Sequence, residues 1–159
     1  MIGLIVFTLL SAQALADLRG RVVSVTDGDT VRLLSADKTE YRVRLTGIDA
    51  PERGQAFGTA SRDHLSELIA GKTVFVESSK SDRYGRILGK IILNGRDINL
   101  EQVKSGYAWW YRYYADEQSP TDRKLYGAAE TAAQQAKRGL WADPNPINPY
   151  DWRRSKRNR

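Results

Sequence analysis

The chain has 159 residues and no cysteine, which is enough for one domain with a real core but excludes disulfides and thiolate metal centres. A single histidine, His64, argues equally against zinc or any other site built on imidazole. The formal net charge is +6 and the pI is near 9.6, a balance that favours a polyanionic partner.

The first apolar run, Ile2 to Leu10, is too short to span a bilayer as a mature helix. Ala14-Leu15-Ala16 after it fits the small-x-small pattern of a signal peptidase site, although no lysine or arginine precedes the run. The expectation is a signal peptide over 1–16, set against a retained membrane anchor. The mature protein is then exported, to the periplasm or beyond the cell, with no membrane span of its own. Residues 17–144 form the expected domain.

Arg19 to Thr26 alternates as an amphipathic strand, and Asp27-Gly28 is a two-residue hairpin signal. Thr30 to Leu34 resumes the strand pattern, and Thr39 to Ile48 predicts a long third strand that Pro51 must stop. A helix is predicted from Gly54 to about Ala70, with Phe57, Ala60, His64 or Leu65, and Leu68 on its apolar face and Gly71 as its stop. His64 reads as a helix residue beside that face, not as a ligand. Strands follow over Thr73 to Glu77 and Ile87 to Leu93, the latter closed by Asn94-Gly95. Asn99 with Gln102 resembles a capping box for a short helix ending at Gly106.

Tyr107 to Tyr114 is an aromatic run without a clean period. Ser119-Pro120 opens the last predicted helix, with Leu125, Ala129, Ala132 and Ala136 facing inward and Gly139 ending it. Leu140 and Trp141 are expected to fold back onto the core. Residues 145–159 read as a Pro-containing linker and a basic tail, either a disordered solubilising end or a tether to nucleic acid or an anionic surface. The tail concentrates charge: without Arg153, Arg154, Lys156, Arg157 and Arg159, the basic count falls from 25 to 20 against 19 acidic groups. Five short strands and three helices predict an α+β domain, and the closed five-stranded form of it is the OB-fold β-barrel.

Three pieces carry chemistry: Asp27-Gly28-Asp29-Thr30, Arg44 through Asp49-Ala50-Pro51-Glu52, and Asp82-Arg83-Tyr84-Gly85-Arg86. The hairpin does not need Asp29. Asp29, Asp49 and Glu52 put three acids on adjacent strand ends, and a bound divalent ion relieves their mutual repulsion. Arg44 and Arg86 can grip phosphate oxygens bidentately, against the plainer reading of surface ion pairs. Tyr84 and the Tyr111, Tyr113, Tyr114 group can stack on bases.

In order and spacing these pieces resemble the thermonuclease (staphylococcal nuclease-like) family, and the resemblance runs from about Leu18 to Trp141. It implies an OB-fold barrel with three helices and Ca²⁺-dependent hydrolysis of DNA and RNA with little sequence preference, by a monomer without a stable protein partner. By this resemblance Asp29 and Asp49 are calcium ligands and Ala50 supplies a backbone carbonyl, where many relatives carry threonine. Glu52 positions or deprotonates the attacking water. Arg44 and Arg86 hold the phosphate, Arg86 also assisting the leaving oxygen. Arg83 and Tyr84 line the nucleotide pocket, and Tyr113 or Tyr114 reaches the substrate. The competing class is a noncatalytic OB-fold module that binds nucleic acid. Such degenerate relatives lose carboxylates or arginines, whereas Asp29, Arg44, Asp49, Glu52 and Arg86 are all present here.

Overall fold

Alternating Val, Leu and Ile residues put one apolar row on each long strand, and these rows meet inside a closed barrel. The computed structural model describes residues 18–157, so the signal peptide expected over 1–16 lies outside the described residues. Strands β1 (Leu18–Asp27), β2 (Thr30–Ser35) and β3 (Glu40–Leu45) form an antiparallel meander. Beyond two short residues, β4 (Ile48–Asp49), and helix α1 (Gly58–Ile69), β5 (Thr73–Ser81) pairs with β1 and β6 (Ile87–Leu93) pairs with β5. The barrel closes through a parallel pairing of β3 with β6, Val43 opposite Ile87 and Arg44 opposite Leu88. Val22, Val31, Leu33, Val43, Leu45, Val74, Val76 and Ile91 fill the interior. At about 25 cal/mol per Å² of buried apolar surface, this shared core is the main stabilising term. The architecture is the expected α+β, five-stranded OB-fold barrel with helices packed around it.

The remaining elements are β7 (Arg96–Asp97), α2 (Ile98–Lys104), β8 (Trp109–Trp110), α3 (Pro120–Gln135) and α4 (Pro149–Arg157), with 3₁₀ turns over Arg112–Glu117 and Gly139–Ala142. Leu140 is buried, its N–H donating to the Gly106 carbonyl at 2.8 Å, and Trp141 packs edge-on to Trp109. Among the described residues no helix is long and apolar enough to cross a membrane.

Several local expectations change. The third strand stops at Leu45, not Ile48, because Gly47 adopts φ +75. A Cβ there would also displace the end of the Gln118 side chain, but it is the positive φ that favours glycine. The chain then restarts as β4, which pairs with β8 instead of continuing the barrel. Helix α1 begins at Gly58, and its buried face is Ser61, Leu65 and Ile69, with Ala60 exposed. Ser61 is drawn inward because its hydroxyl donates to the Tyr107 carbonyl at 2.6 Å.

Helix α2 is capped by Asp97, whose side chain accepts from the Leu100 N–H at 3.0 Å, so Asn99 and Gln102 are not a capping box. Both amides are buried struts instead. The inner face of α3 is Tyr126, Glu130 and Ala133, while Leu125, Ala132 and Ala136 are exposed. Polar bonds turn the helix this way. The Tyr126 hydroxyl donates to Asp97 at 2.8 Å, and the buried Glu130 carboxylate accepts the Trp110 N–H at 3.0 Å and pairs with Arg112.

The segment read as a linker and basic tail contains α4. Asn148 starts it, its side chain accepting the Asp151 N–H at 2.9 Å with Pro149 at the first turn. Gln55 on the loop before α1 donates to the Ile147 carbonyl at 2.7 Å and fixes the segment to the domain.

Candidate active site

A cleft of about 1080 Å³ opens beside the parallel seam of the barrel. Its lining includes Asp29, Arg44, Asp49, Ala50, Glu52, Arg83, Tyr84, Arg86 and Tyr114. Three chain segments distant in sequence therefore converge here, and the fold explains how. Asp29 sits in the β1–β2 turn, whose two residues are Gly28 and Asp29. Arg44 lies on β3, Asp49 ends β4, and Arg86 directly precedes β6. Because β3 and β6 are parallel neighbours with Arg44 opposite Leu88, Arg86 falls two residues from that pair and on the same face.

The acidic half of the cleft is tightly bonded. Asp29 is buried; its Oδ1 accepts from the Thr30 hydroxyl at 3.1 Å and its Oδ2 from the Ala50 N–H at 2.8 Å. Arg44 Nη2 reaches Asp29 Oδ2 at 3.1 Å and Asp49 Oδ1 at 3.3 Å, so one guanidinium nitrogen joins both carboxylates. Its Nη1 donates to the carbonyls of Leu45 and Ile48, which fixes the plane of the fork. Burial, with repulsion from Asp29, pushes the pKa of Asp49 up, against the pull of Arg153 and Arg44. Burial also drives Asp27, beside Asp29, up to about 7. Burial and the neighbouring carboxylates thus disfavour the charged forms of these two aspartates, a condition that a cation relieves.

Glu52 stands apart from the two aspartates. Among the described residues no three acidic or imidazole groups converge tightly enough to form a metal cage by themselves. Glu52 is instead joined to Asp49 through Arg153 of α4. Arg153 Nη1 donates to Glu52 Oε1 at 2.7 Å and to Asp49 Oδ1 at 3.1 Å, and Nη2 donates to Asp49 Oδ2 at 2.9 Å. Burial works against the charge on Arg153, but its bonds to Asp49 and Glu52 outweigh this and hold it firmly protonated.

Elsewhere in the cleft lining, Asp82 organises the turn before β6. It accepts the N–H groups of Tyr84 (2.9 Å) and Arg86 (3.0 Å), and its second oxygen accepts Arg86 Nε at 2.7 Å. Burial opposes the charge on Asp82, but the Arg86 and Tyr84 bonds prevail and lower its pKa. Arg86 is thereby held by its Nε, and among the described residues its Nη groups have no hydrogen-bond partner. Arg83 donates to the Tyr84 hydroxyl at 2.7 Å, and both arginines lie over the Tyr84 ring, at 4.8 and 5.7 Å. Tyr84 is 62% exposed, an aromatic face presented to solvent beside two cations. Tyr111 and Tyr114 line the cleft, whereas Tyr113 is outside its lining and packs edge-on to Tyr114 at 4.9 Å.

The matching family model is described as a staphylococcal nuclease homologue, and it covers residues 42–143. The chain belongs to this family. It is 42% identical to a micrococcal nuclease of Shigella flexneri, over 96% of this chain and 90% of the relative. It is 43% identical to an uncharacterized endonuclease of Escherichia coli, over 98% and 97%. A third relative, protein ParB of Escherichia coli, is 39% identical over 95% of this chain and 88% of its own length.

Four contributors to the site lie outside the motif reading of a staphylococcal nuclease relative. Arg153 was assigned to the tail. Tyr111 was one of several aromatic candidates. Asn99 donates to the Thr46 carbonyl at 2.9 Å and steadies the loop that leads to Asp49. Gln102 donates to the Gly28 carbonyl at 2.8 Å and steadies the turn that carries Asp29. Only the Asn148-Pro149 helix start signals the first of these in sequence; the buried amides leave no local trace.

Proposed function

We propose that this protein is an exported, Ca²⁺-dependent nuclease that hydrolyses phosphodiester bonds of DNA and RNA with little sequence preference. The observation that carries the reading is the single guanidinium of Arg44 bound to both Asp29 and Asp49, in a cleft whose other wall offers Arg86, Arg83 and Tyr84. An acidic pole faces a basic and aromatic one, as a phosphodiester with its cation requires.

The donor set fits calcium. Asp29 and Asp49 are hard oxygen donors, and guanidinium cations already sit against both. Asp29, Asp49 and the backbone carbonyl of Ala50 are the residues that would hold the ion. When bound, calcium polarises the phosphate and offsets the charge that builds on it. Glu52 positions a water and accepts its proton. Arg44, locked by two carbonyls and two carboxylates, sets the field at the phosphate, and Arg86 grips the phosphate oxygens and supports the departing one. Arg83 and Tyr84 seat the nucleotide, with Tyr114 across the cleft. Selection among bases needs groups aimed at base edges, and the exposed tyrosine faces offer stacking that every base accepts.

The deciding experiment incubates protein lacking residues 1–16 with plasmid DNA and with RNA, under Ca²⁺, other divalent ions and a chelator. Cleavage of both polymers with Ca²⁺, abolished by the chelator, is expected. Binding without cleavage under every ion would make the protein a nucleic-acid-binding module instead. Mass spectrometry of the exported protein tests the export step, with Asp17 expected at its N-terminus.

A further inference from the structure

Helix α4 enters the cleft through one side chain. Its seat does not depend on that side chain: Asn148 caps it, Pro149 is buried, Gln55 holds Ile147, and Trp152 lines a small apolar recess with Pro51 and Phe57. Arg153 is thus delivered to Asp49 and Glu52 by a docked element, not by a loose tail.

The Arg153 fork takes both oxygens of Asp49 and one of Glu52. A divalent cation drawn to Asp29 and Asp49 needs the same lone pairs. It would also lie against the Arg153 guanidinium, so the two positive groups repel at contact range beside the buried Asp49. Arg44 also touches both aspartates through one nitrogen, but its other nitrogen is anchored on the Leu45 and Ile48 carbonyls, so Arg153 is the more displaceable of the two.

We infer that Arg153 is an internal counter-ion of the acidic pocket that a divalent cation must displace, so that α4 sets the cation concentration at which the site becomes competent. The inference rests on the reading of Asp29 and Asp49 as calcium ligands. It assigns the tail helix a role in the site itself: while Arg153 is in place, its Nη1 occupies Glu52 Oε1 and keeps that oxygen from a water. Displacement frees Glu52 and gives the guanidinium up to solvent or to substrate phosphate.

The test is direct Ca²⁺ binding by titration calorimetry, without substrate. It compares wild type, Arg153→Ala, Arg153→Gln, Arg154→Ala and Asp49→Asn, each checked for folding by circular dichroism. Arg153→Ala and Arg153→Gln are expected to bind Ca²⁺ about tenfold more tightly than wild type, the scale of one charge-assisted hydrogen bond. Arg154→Ala removes the same charge from the same helix, but its guanidinium lies over the Tyr150 ring at 5.7 Å, so wild-type affinity is expected. Equal tightening by Arg154→Ala would reduce the effect to net charge and overturn the latch. So would an unchanged constant in both Arg153 variants alongside weaker binding of a short single-stranded oligonucleotide, which would make Arg153 a substrate-holding residue. Failure of the ligand reading looks different: Asp49→Asn would then bind Ca²⁺ as wild type does, or no variant would bind it at all.

Discussion

Gln102 donates from a fully buried side-chain amide to the carbonyl of Gly28 at 2.8 Å, so helix α2 holds the turn that presents Asp29. The same nitrogen reaches the Ser61 carbonyl at 3.1 Å, and the amide oxygen meets His64 Nδ1. Replacing it by leucine leaves these groups without partners in the core. Gln102→Leu should lose about 1–3 kcal/mol for the orphaned polar groups. Urea denaturation followed by Trp fluorescence measures this. Calcium-supported activity should fall further than stability alone explains, since the Asp29 turn loses its strut.

The two aspartates are the proposed calcium ligands. Asp29→Asn and Asp49→Asn should each raise the Ca²⁺ needed for half-maximal cleavage, because a neutral amide is a weaker ligand for a hard cation. The fold should persist. An unchanged calcium titration in both variants would end their assignment as ligands.

Asp82 carries a pH signature. Its folded-state pKa is lowered from 3.8. A depressed carboxylate stabilises the folded state above its unfolded pKa, and that contribution is lost as pH falls from about 4 through the folded value. Asp82→Asn should therefore be less stable than wild type at pH 7, and the gap should close as both are acidified toward pH 3. It should also lower kcat at neutral pH, since Arg86 loses the carboxylate that aims it. Thermal melts across pH and kinetics on a short substrate check the two halves; a gap constant down to pH 3 would show that the charge plays no part.

Arg86 and Glu52 are expected to serve one transition state. Arg86→Lys keeps the charge and loses the fork, and should reduce kcat by about 10² to 10³ with little change in KM. Glu52→Gln should also lower kcat, because an amide accepts no proton. A double-mutant cycle at saturating Ca²⁺ should show the two losses failing to multiply. If Arg86→Lys runs at the wild-type rate, Arg86 is a surface ion-pair partner of Asp82 alone.

Tyr84 and Tyr113 separate the cleft from its surroundings. Tyr84→Ala should raise KM for an oligonucleotide by about one stacking contact, 1–3 kcal/mol. Tyr113→Ala should leave KM within about twofold, because its ring lies outside the cleft lining. The reverse ranking would place the nucleotide on the aromatic run.

The barrel was legible because its strands follow a period of two and its turns carry Asp-Gly and Asn-Gly. The acidic and arginine motifs were legible because each is short and contiguous. Helix faces were misread wherever a polar side chain turned inward: Ser61, Glu130 and Tyr126 are buried through specific bonds to distant backbone or side chains, and apolar periodicity is blind to such bonds. The break after Leu45 was missed because Thr46-Gly47 interrupts an otherwise good strand pattern. Arg153 was missed for a different reason: 101 residues separate it from Glu52, and a run of arginines after prolines looks like solvent-facing charge until α4 is seen docked.

The parallel seam between β3 and β6 brings Arg44 and Arg86 onto one face, yet the chain between these strands runs through β4, α1 and β5. No local fragment holds both arginines together; they meet only through the long-range pairing that closes the barrel. An unfolded chain therefore has the residues of the cleft without the cleft. The two arginines of the cleft therefore depend on one long-range pairing, so a change that loosens the β3–β6 seam separates them without touching either.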